Sequence, residues 1–298
     1  MYKYTWYQWI LFFYIYCFLG WVFESAYVSL RKRHFVNRGF LQLPLLPLYG
    51  TGAVMMLWLS LPVKDNLILV YLAGVLGATV LEYVTGWGME QLFKIKYWDY
   101  SDQRFNFHGY ICLSSSIAWG FLTILLTEVI HRPIEYYVLG LPAAVALTCT
   151  LSISLLFALD SIHSIKTALD FAKVLDTVTR MRAELEEMQV QMALLKAETN
   201  DRMDEMREET AERLDAFKAE AEEAAGRLKE ALSDHFEDRL YDLSQKASEI
   251  RQRRRQILNR MEAYRHSLLR RNPSATSRRF EQALKELRDE LERDGNDR

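Results

Sequence analysis

The sequence predicts an all-α protein: a polytopic membrane bundle of about five helices followed by a long cytoplasmic helix of coiled-coil character. Three observations predict it. Five apolar runs of membrane length fill roughly the first 160 of the 298 residues, and all seven Trp lie between Trp6 and Trp119. Beyond about residue 165 the chain is mostly Glu, Arg, Lys, Ala, Leu and Met, a long-helix composition. From Ile162 to Asn272 there is no proline and one glycine, Gly226. The overall net charge of −2 and mean hydropathy of −0.11 average two unlike halves, so charge is read locally.

A run of about 20 apolar residues crosses a hydrocarbon core roughly 30 Å thick. The runs are 7–29, 45–62, 67–89, 110–130 and 134–159. The first is read as a span rather than a signal peptide, because it lacks a basic start and a small-residue cleavage site and carries Glu24. The second opens through "HFVNRGFLQLPLLPLYGTG", His34 to Gly52. Proline near a helix start is harmless, because the first N–H groups lack partners anyway. Pro44 and Pro47 therefore suit a non-helical strap that dips into the inner leaflet. Such backbone is tolerated only when buried in protein or lining a wet cavity. Gly39, Gly50, Gly52 and Gly74, with Ala78, Ser114, Ser115 and Ser116, read as close helix contacts. Cys17, Cys112 and Cys149 fall within spans at no metal spacing and read as buried thiols; no cofactor motif is present.

Lys and Arg in short loops set the orientation. With five spans, Arg31, Lys32, Arg33, Arg38, Lys94, Lys96, Arg104, Lys166, Lys173 and Arg180 share one side, and Lys3, Lys64 and Arg132 the other. The N-terminus is expected outside and the tail in the cytoplasm. A re-entrant second segment would upset that count.

The organisation expected is a transmembrane domain over 1–162, a long helix over 163–272 and a short amphipathic helix over 273–298. An apolar stripe from Val178 to Leu232 advances 3.6 residues per step, more than the 3.5 of a strict heptad. A nearly straight, loosely self-associating helix is expected, with a fold-back near Gly226 or His235 as the alternative. Residues 182–237 carry a net charge of −9 and residues 249–279 a net +8, including Arg251, Arg253, Arg254 and Arg255. Those arginines either pair with the acidic run or meet anionic lipid. Nucleic acid is the weakest reading, because stacking aromatics are not interleaved with them.

Ionisable residues inside spans are costly and point to function. Glu24, Glu82, Glu90 and Asp160 all fall in the inner half. The loops "FVNRG" and "WDYSDQRFNFHG" bring Asn37, Arg38, Asp99, Tyr100, Asn106 and His108 to the same level, with Tyr49 in the strap that follows. Arg38 is the natural partner for Glu24, Glu82 or Asp99. The cluster has three readings: ion pairs that pin the helices, a site for a solute or ion, and a surface for a partner.

At these residues the chain resembles a known family, the bacterial ABC-transporter permeases called type IV or CmpB-like. The matching words are "GWVFES" with Glu24, "FVNRGFL" through "PLYGTG", "LEYVTG" with Glu82, the "ME" ending in Glu90, and "WDYSDQRFNFHGYICLSSSIAWG". Together they cover about residues 10–165. The resemblance implies a small polytopic protein of the bacterial inner membrane. The chain has no G-x-x-x-x-G-K-[ST] phosphate loop, so a permease would need a separate ATPase chain. Five spans are few for a solute path, so a homo-oligomer through the tail is expected. The alternative is a non-transporting scaffold that organises partners through that tail. No G-x-S-x-G or H-E-x-x-H motif is present, and the chain is read as a non-enzyme.

Overall fold

The computed structural model describes residues 4–213, 218–260, 268–269, 271–272 and 274–296. The chain divides into two compact units. One comprises Met1–Lys173 with Ala263–Arg298, the other Val174–Glu262.

The first unit begins with α1, Trp6–Lys32, opened by a capping box in which Thr5 N–H meets the Gln8 side chain. After the non-helical strap, α2 (Pro47–Ser60) starts with proline at its first position, where no donor is missed, and ends in a short turn, Leu61–Val63. Next comes α3, Leu67–Phe93, capped by Asn66, whose side chain accepts from the N–H groups of Ile68 and Leu69. A hairpin of β1 (Asn106–Phe107) and β2 (Ile111–Cys112) leads into α4, Leu113–Leu125. The helix continues through a π turn, Leu126–Ile130, into α5, His131–Leu139. The last span opens α6, Ala143–Arg213.

Four of these helices are long and apolar enough to cross a membrane: Trp6–Lys32, Leu67–Phe93, Leu113–Leu139 and the start of Ala143–Glu209. The fifth expected span, Pro47–Val63, is apolar but shorter. Its first turn is level with the middle of α1, where Leu46 N–H donates to Cys17 O at 3.0 Å. Cys17 lies about 22 Å from the Lys32 end at helical rise, so the strap does reach well inside. A Cβ on Gly50 would come 2.3 Å from Cys17 Sγ and 2.6 Å from Phe13 O, so only glycine allows this approach.

The boundary expected between residues 130 and 134 is not a loop. The helix runs through "HRP": His131 is buried, Arg132 pairs with Glu128 one turn back, and the π turn widens the ladder just before Pro133, which lacks an N–H. The chain turns instead at "GLP", where the Gly140 N–H closes α5 and Pro142 precedes α6.

Large apolar side chains face outward around the bundle, among them Phe23, Leu76, Val80, Phe121 and Leu155. This is the surface a lipid environment requires, because hydrocarbon solvates Leu and Phe as well as a protein core does. The interior is Phe12, Leu57, Met56 and Ala78.

In the second unit the described part of α6 runs to Arg213 and α7 spans Lys218–Arg260, with Gly226 inside α7. Leu194, Leu195 and Glu198 of α6 share a groove of about 660 Å³ with His235, Asp238 and Leu243 of α7. The two helices are therefore an antiparallel hairpin. Val178, Leu185 and Leu195 of the stripe are buried, as are Phe236 and Ala247, while Leu228 stays exposed. In the first unit a final helix, α8, spans Glu281–Asn296, with Ala283, Leu284 and Leu287 buried together with Phe280.

Candidate functional site

The candidate site lies at the end of the bundle where the strap, the hairpin loop and the C-terminal segment meet. Two carboxylates organise it. Glu24 sits two turns before the end of α1. It accepts from the Tyr49 hydroxyl at 3.0 Å, and Arg38 Nε lies 3.6 Å from its second oxygen. Of the three partners expected for Arg38, the structure selects Glu24. The Arg38 N–H donates to the buried Ser25 hydroxyl at 3.1 Å, which fixes the strap to α1.

Glu82 is 4% exposed, on the inner face of α3. One of its oxygens accepts from the Tyr100 hydroxyl at 3.1 Å. The other accepts from Trp119 Nε1 at 3.0 Å and the Ser115 hydroxyl at 3.3 Å. All three donors are neutral. Helix α4 begins at this depth rather than at the end of α3, and Thr79 donates to Ser116 at 2.8 Å along the same contact. The two carboxylates are joined by aromatic side chains: the Tyr49 ring packs 6.0 Å from that of Trp119, edge to face. Tyr100 feels both acids. Burial first, then the charge of Glu82 and the hydrogen bond to it, push its phenol above the ordinary range.

The loop 94–110 is built around Lys96, 3% exposed, which sequence reasoning counted only as a charge. Its ammonium donates to His108 O at 2.7 Å, lies 3.9 Å from Asp99 and 4.0 Å from Glu90, and sits over the Tyr110 ring. A lysine this deep is affordable only with both acids and a carbonyl around it. Glu90 also accepts from the Tyr110 hydroxyl at 2.5 Å. Burial alone would raise the Asp99 carboxyl. Hydrogen bonds from Ser101 and Thr276, with the Lys96 charge, outweigh that and hold it below its usual range. Gly109 passes this carboxylate with φ +73°, and a Cβ there would come 2.3 Å from Asp99 Oδ1.

The remaining predicted residues hold backbone. Asn37 accepts from Trp21 Nε1 at 2.6 Å and donates to Gln42 O. Asp160 accepts from the N–H groups of Gln42 and Leu43 at 3.0 and 2.9 Å, tying the strap to α6. Asn106 closes the exposed loop through Ser101 O and Gln103 O. His108 is exposed and packs edge to face against Phe107, with its ring outside the Glu24–Glu82 network. Arg251, Arg253, Arg254 and Arg255 lie on α7 in the other unit.

The C-terminal segment also reaches this end, which the sequence did not signal. Thr276 and Lys96 exchange both backbone hydrogen bonds at 2.8 Å. Asn272 donates to Gly39 O, Arg271 to Leu41 O, and Ser277 to Lys94 O. Arg38 in turn donates to Arg271 O, Asn272 Oδ1 and Ser274 Oγ at 3.2–3.3 Å.

The residues that carry this geometry, Glu24 to Asp160, lie inside the region 11–165 that matches the family model described as "Putative ABC-transporter type IV". The chain belongs to that family. The match ends at residue 165 and leaves out the hairpin and the C-terminal segment of this type IV chain. No curated protein and no solved structure matches it.

Proposed function

We propose that the chain is the membrane subunit of an ABC-type transporter, energised by a separate ATPase chain, with the Glu24–Tyr49–Trp119–Glu82–Tyr100 network handling the solute. The observation that carries this reading is Glu82. A buried carboxyl group is held by three neutral donors across α3, α4 and the loop, with no cationic partner at ion-pair distance among the described residues. A cation or a polyhydroxylated solute can take the place of those donors. A carboxylate serving only to pin helices would gain most from a permanent cation. Intramembrane acids of this kind mark solute and proton paths.

The orientation follows the same reading. The strap meets the start of the tail through Gln42 and Asp160, and the strap and the loop 94–110 meet the same C-terminal segment through Arg38–Asn272 and Lys96–Thr276. That end carries the Lys and Arg excess, so it faces the cytoplasm of a bacterial inner membrane. The chain itself performs no covalent chemistry. A second copy would use the apolar residues that the hairpin leaves exposed, Val190, Leu194, Leu228 and Tyr241. Those same residues favour the second reading, a scaffold whose hairpin recruits partners.

A pull-down from the native membrane in mild detergent, with mass spectrometry, separates the two. A soluble ATPase in fixed ratio is the expected result. Recovery of this chain alone, or with envelope and cytoskeletal proteins, overturns the permease reading in favour of the scaffold.

A further inference from the structure

We propose that His131, with Tyr4, Tyr16 and Glu135, is a proton-binding site in the half of the bundle away from Glu24 and Glu82. It stands apart from the permease reading. Trp6, at the near end of α1, is about 27 Å from Glu24 at helical rise, and the ligand here is a hydrogen ion.

The helix that follows the π turn Leu126–Ile130 places the ring. His131 comes directly after that turn and is 1% exposed, whereas Arg132 beside it is exposed and pairs with Glu128. Turns of this kind recur at functional sites, because the extra residue re-aims the side chains that follow. From α1 the ring meets Phe12, edge to face at 5.0 Å between centroids, and two hydroxyls. The Tyr16 hydroxyl lies 2.7 Å from Nδ1 and the Tyr4 hydroxyl 3.0 Å from Nε2. Tyr4 Oη also lies 2.5 Å from Glu135 Oε1, one turn along α5. The groups with protons to exchange are thus Tyr4 and Tyr16 from α1 and Glu135 from α5. The cluster that holds Phe12 and Tyr16 takes Met56 and Leu57 from α2 and Ala146 from α6, which carry no charge.

Counting hydrogens gives this chain a direction. Tyr4 has one hydroxyl hydrogen and an ionised carboxylate only accepts, so Tyr4 donates to Glu135. Its oxygen then accepts from Nε2–H. A neutral imidazole has one N–H, so Nδ1 is bare and accepts from the Tyr16 hydroxyl. Every contact is made and the ring is neutral, the cheaper state in an apolar core. A second proton on the ring can go only to Nδ1. The imidazolium then donates through both nitrogens, to Tyr4 Oη and to Tyr16 Oη, while Tyr16 turns its own hydrogen away. No covalent bond changes except the new N–H. The Glu135 carboxylate, half-buried and one hydroxyl away, becomes the counter-charge. That counter-charge does nothing for a neutral ring and favours the charged one. Chains of Glu and His inside membranes serve as proton relays for this reason.

The test reads the ring itself. Full-length protein carrying histidine labelled with heavy nitrogen is placed in liposomes, and solid-state NMR follows its ring nitrogens from about pH 8 to about pH 4. The His131 signals are those lost in His131→Gln. One bare nitrogen and one N–H are expected at the alkaline end and two N–H at the acid end, with a midpoint between about pH 5 and 8. Glu135→Gln keeps the shape and removes the counter-charge, so it should lower that midpoint by about one pH unit, a tenfold weaker hold on the proton. Tyr4→Phe, which removes the bridging hydroxyl, should lower it too. A ring that keeps its bare nitrogen at the acid end overturns the proton site, and so does one midpoint shared by the wild type and both variants. Either result leaves the permease reading where the pull-down puts it.

Discussion

At the residue scale, the site shows how buried acids are given hydrogen-bond partners in a membrane protein. Glu82 relies on three neutral hydrogen bonds, Glu24 on one arginine and one tyrosine, and Asp99 on a lysine and two hydroxyls. The consequences differ. Glu82→Ala leaves Trp119 and Tyr100 without their acceptor, while the Ser115 hydroxyl keeps Cys112 O at 2.9 Å, and should cost about 1–3 kcal/mol. Glu82→Gln keeps an acceptor and should fold, so thermal unfolding in detergent distinguishes them: a fall for both variants of equal size would contradict the network. Asp99 gives a pH signature. Its folded carboxyl titrates below the usual 3.8, so its contribution is fully present above that value and is lost as pH falls through the folded value. Asp99→Asn should therefore lower the unfolding midpoint at pH 7, with the gap narrowing as the pH falls below 3.8 towards the folded value; a gap that does not narrow on acidification would count against the assignment. The sequence named Glu24, Arg38, Glu82 and Asp99 because charges in apolar runs stand out. It was silent on Trp119 and Lys96, since an aromatic in a span and a lysine in a loop are ordinary until their neighbours are known.

At the element scale, helix starts carry the architecture. Both α2 and α4 begin inside the bundle rather than at its edge, one through Pro47 and the other through the serine run after Cys112. The proline strap was legible because Pro and Gly punctuate an apolar run. The hairpin that delivers α4 was not, because two-residue strands lack a periodic signal. The misplaced boundary at "HRP" has a similar cause: charge and proline imitate a loop, and only packing reveals His131 held by Tyr16 at 2.7 Å. Two glycines test the element-level account. Gly50→Ala must push apart α1 and α2 and should cost about 1–3 kcal/mol. Gly226→Ala meets nothing within 4 Å in an exposed helix and should instead stabilise α7 by about 1 kcal/mol. Unfolding midpoints that move in the same direction for both would refute this contrast.

At the scale of the whole molecule, the chain has two parts with different physics. Hydropathy and charge marked the division: apolar runs for a lipid-facing bundle, then alternating charges for helices in water. The asymmetry of Lys and Arg makes a topological prediction. A cysteine replacing Asp65 should react with an impermeant reagent in intact cells, and one replacing Asp102 only after permeabilisation; the reverse pattern would invert the membrane orientation. Composition and periodicity alone determined the all-α class and the apolar spans, because both depend on which residues recur along the chain, while the family resemblance was carried by the quoted motifs. Only tertiary structure decided that the second apolar run is short, that the tail is two helices, and that its last segment returns to pair with Lys96 and Arg38. Those are contacts between residues more than 170 positions apart. Their energies belong to pairs, and a linear pattern does not record which pairs will meet.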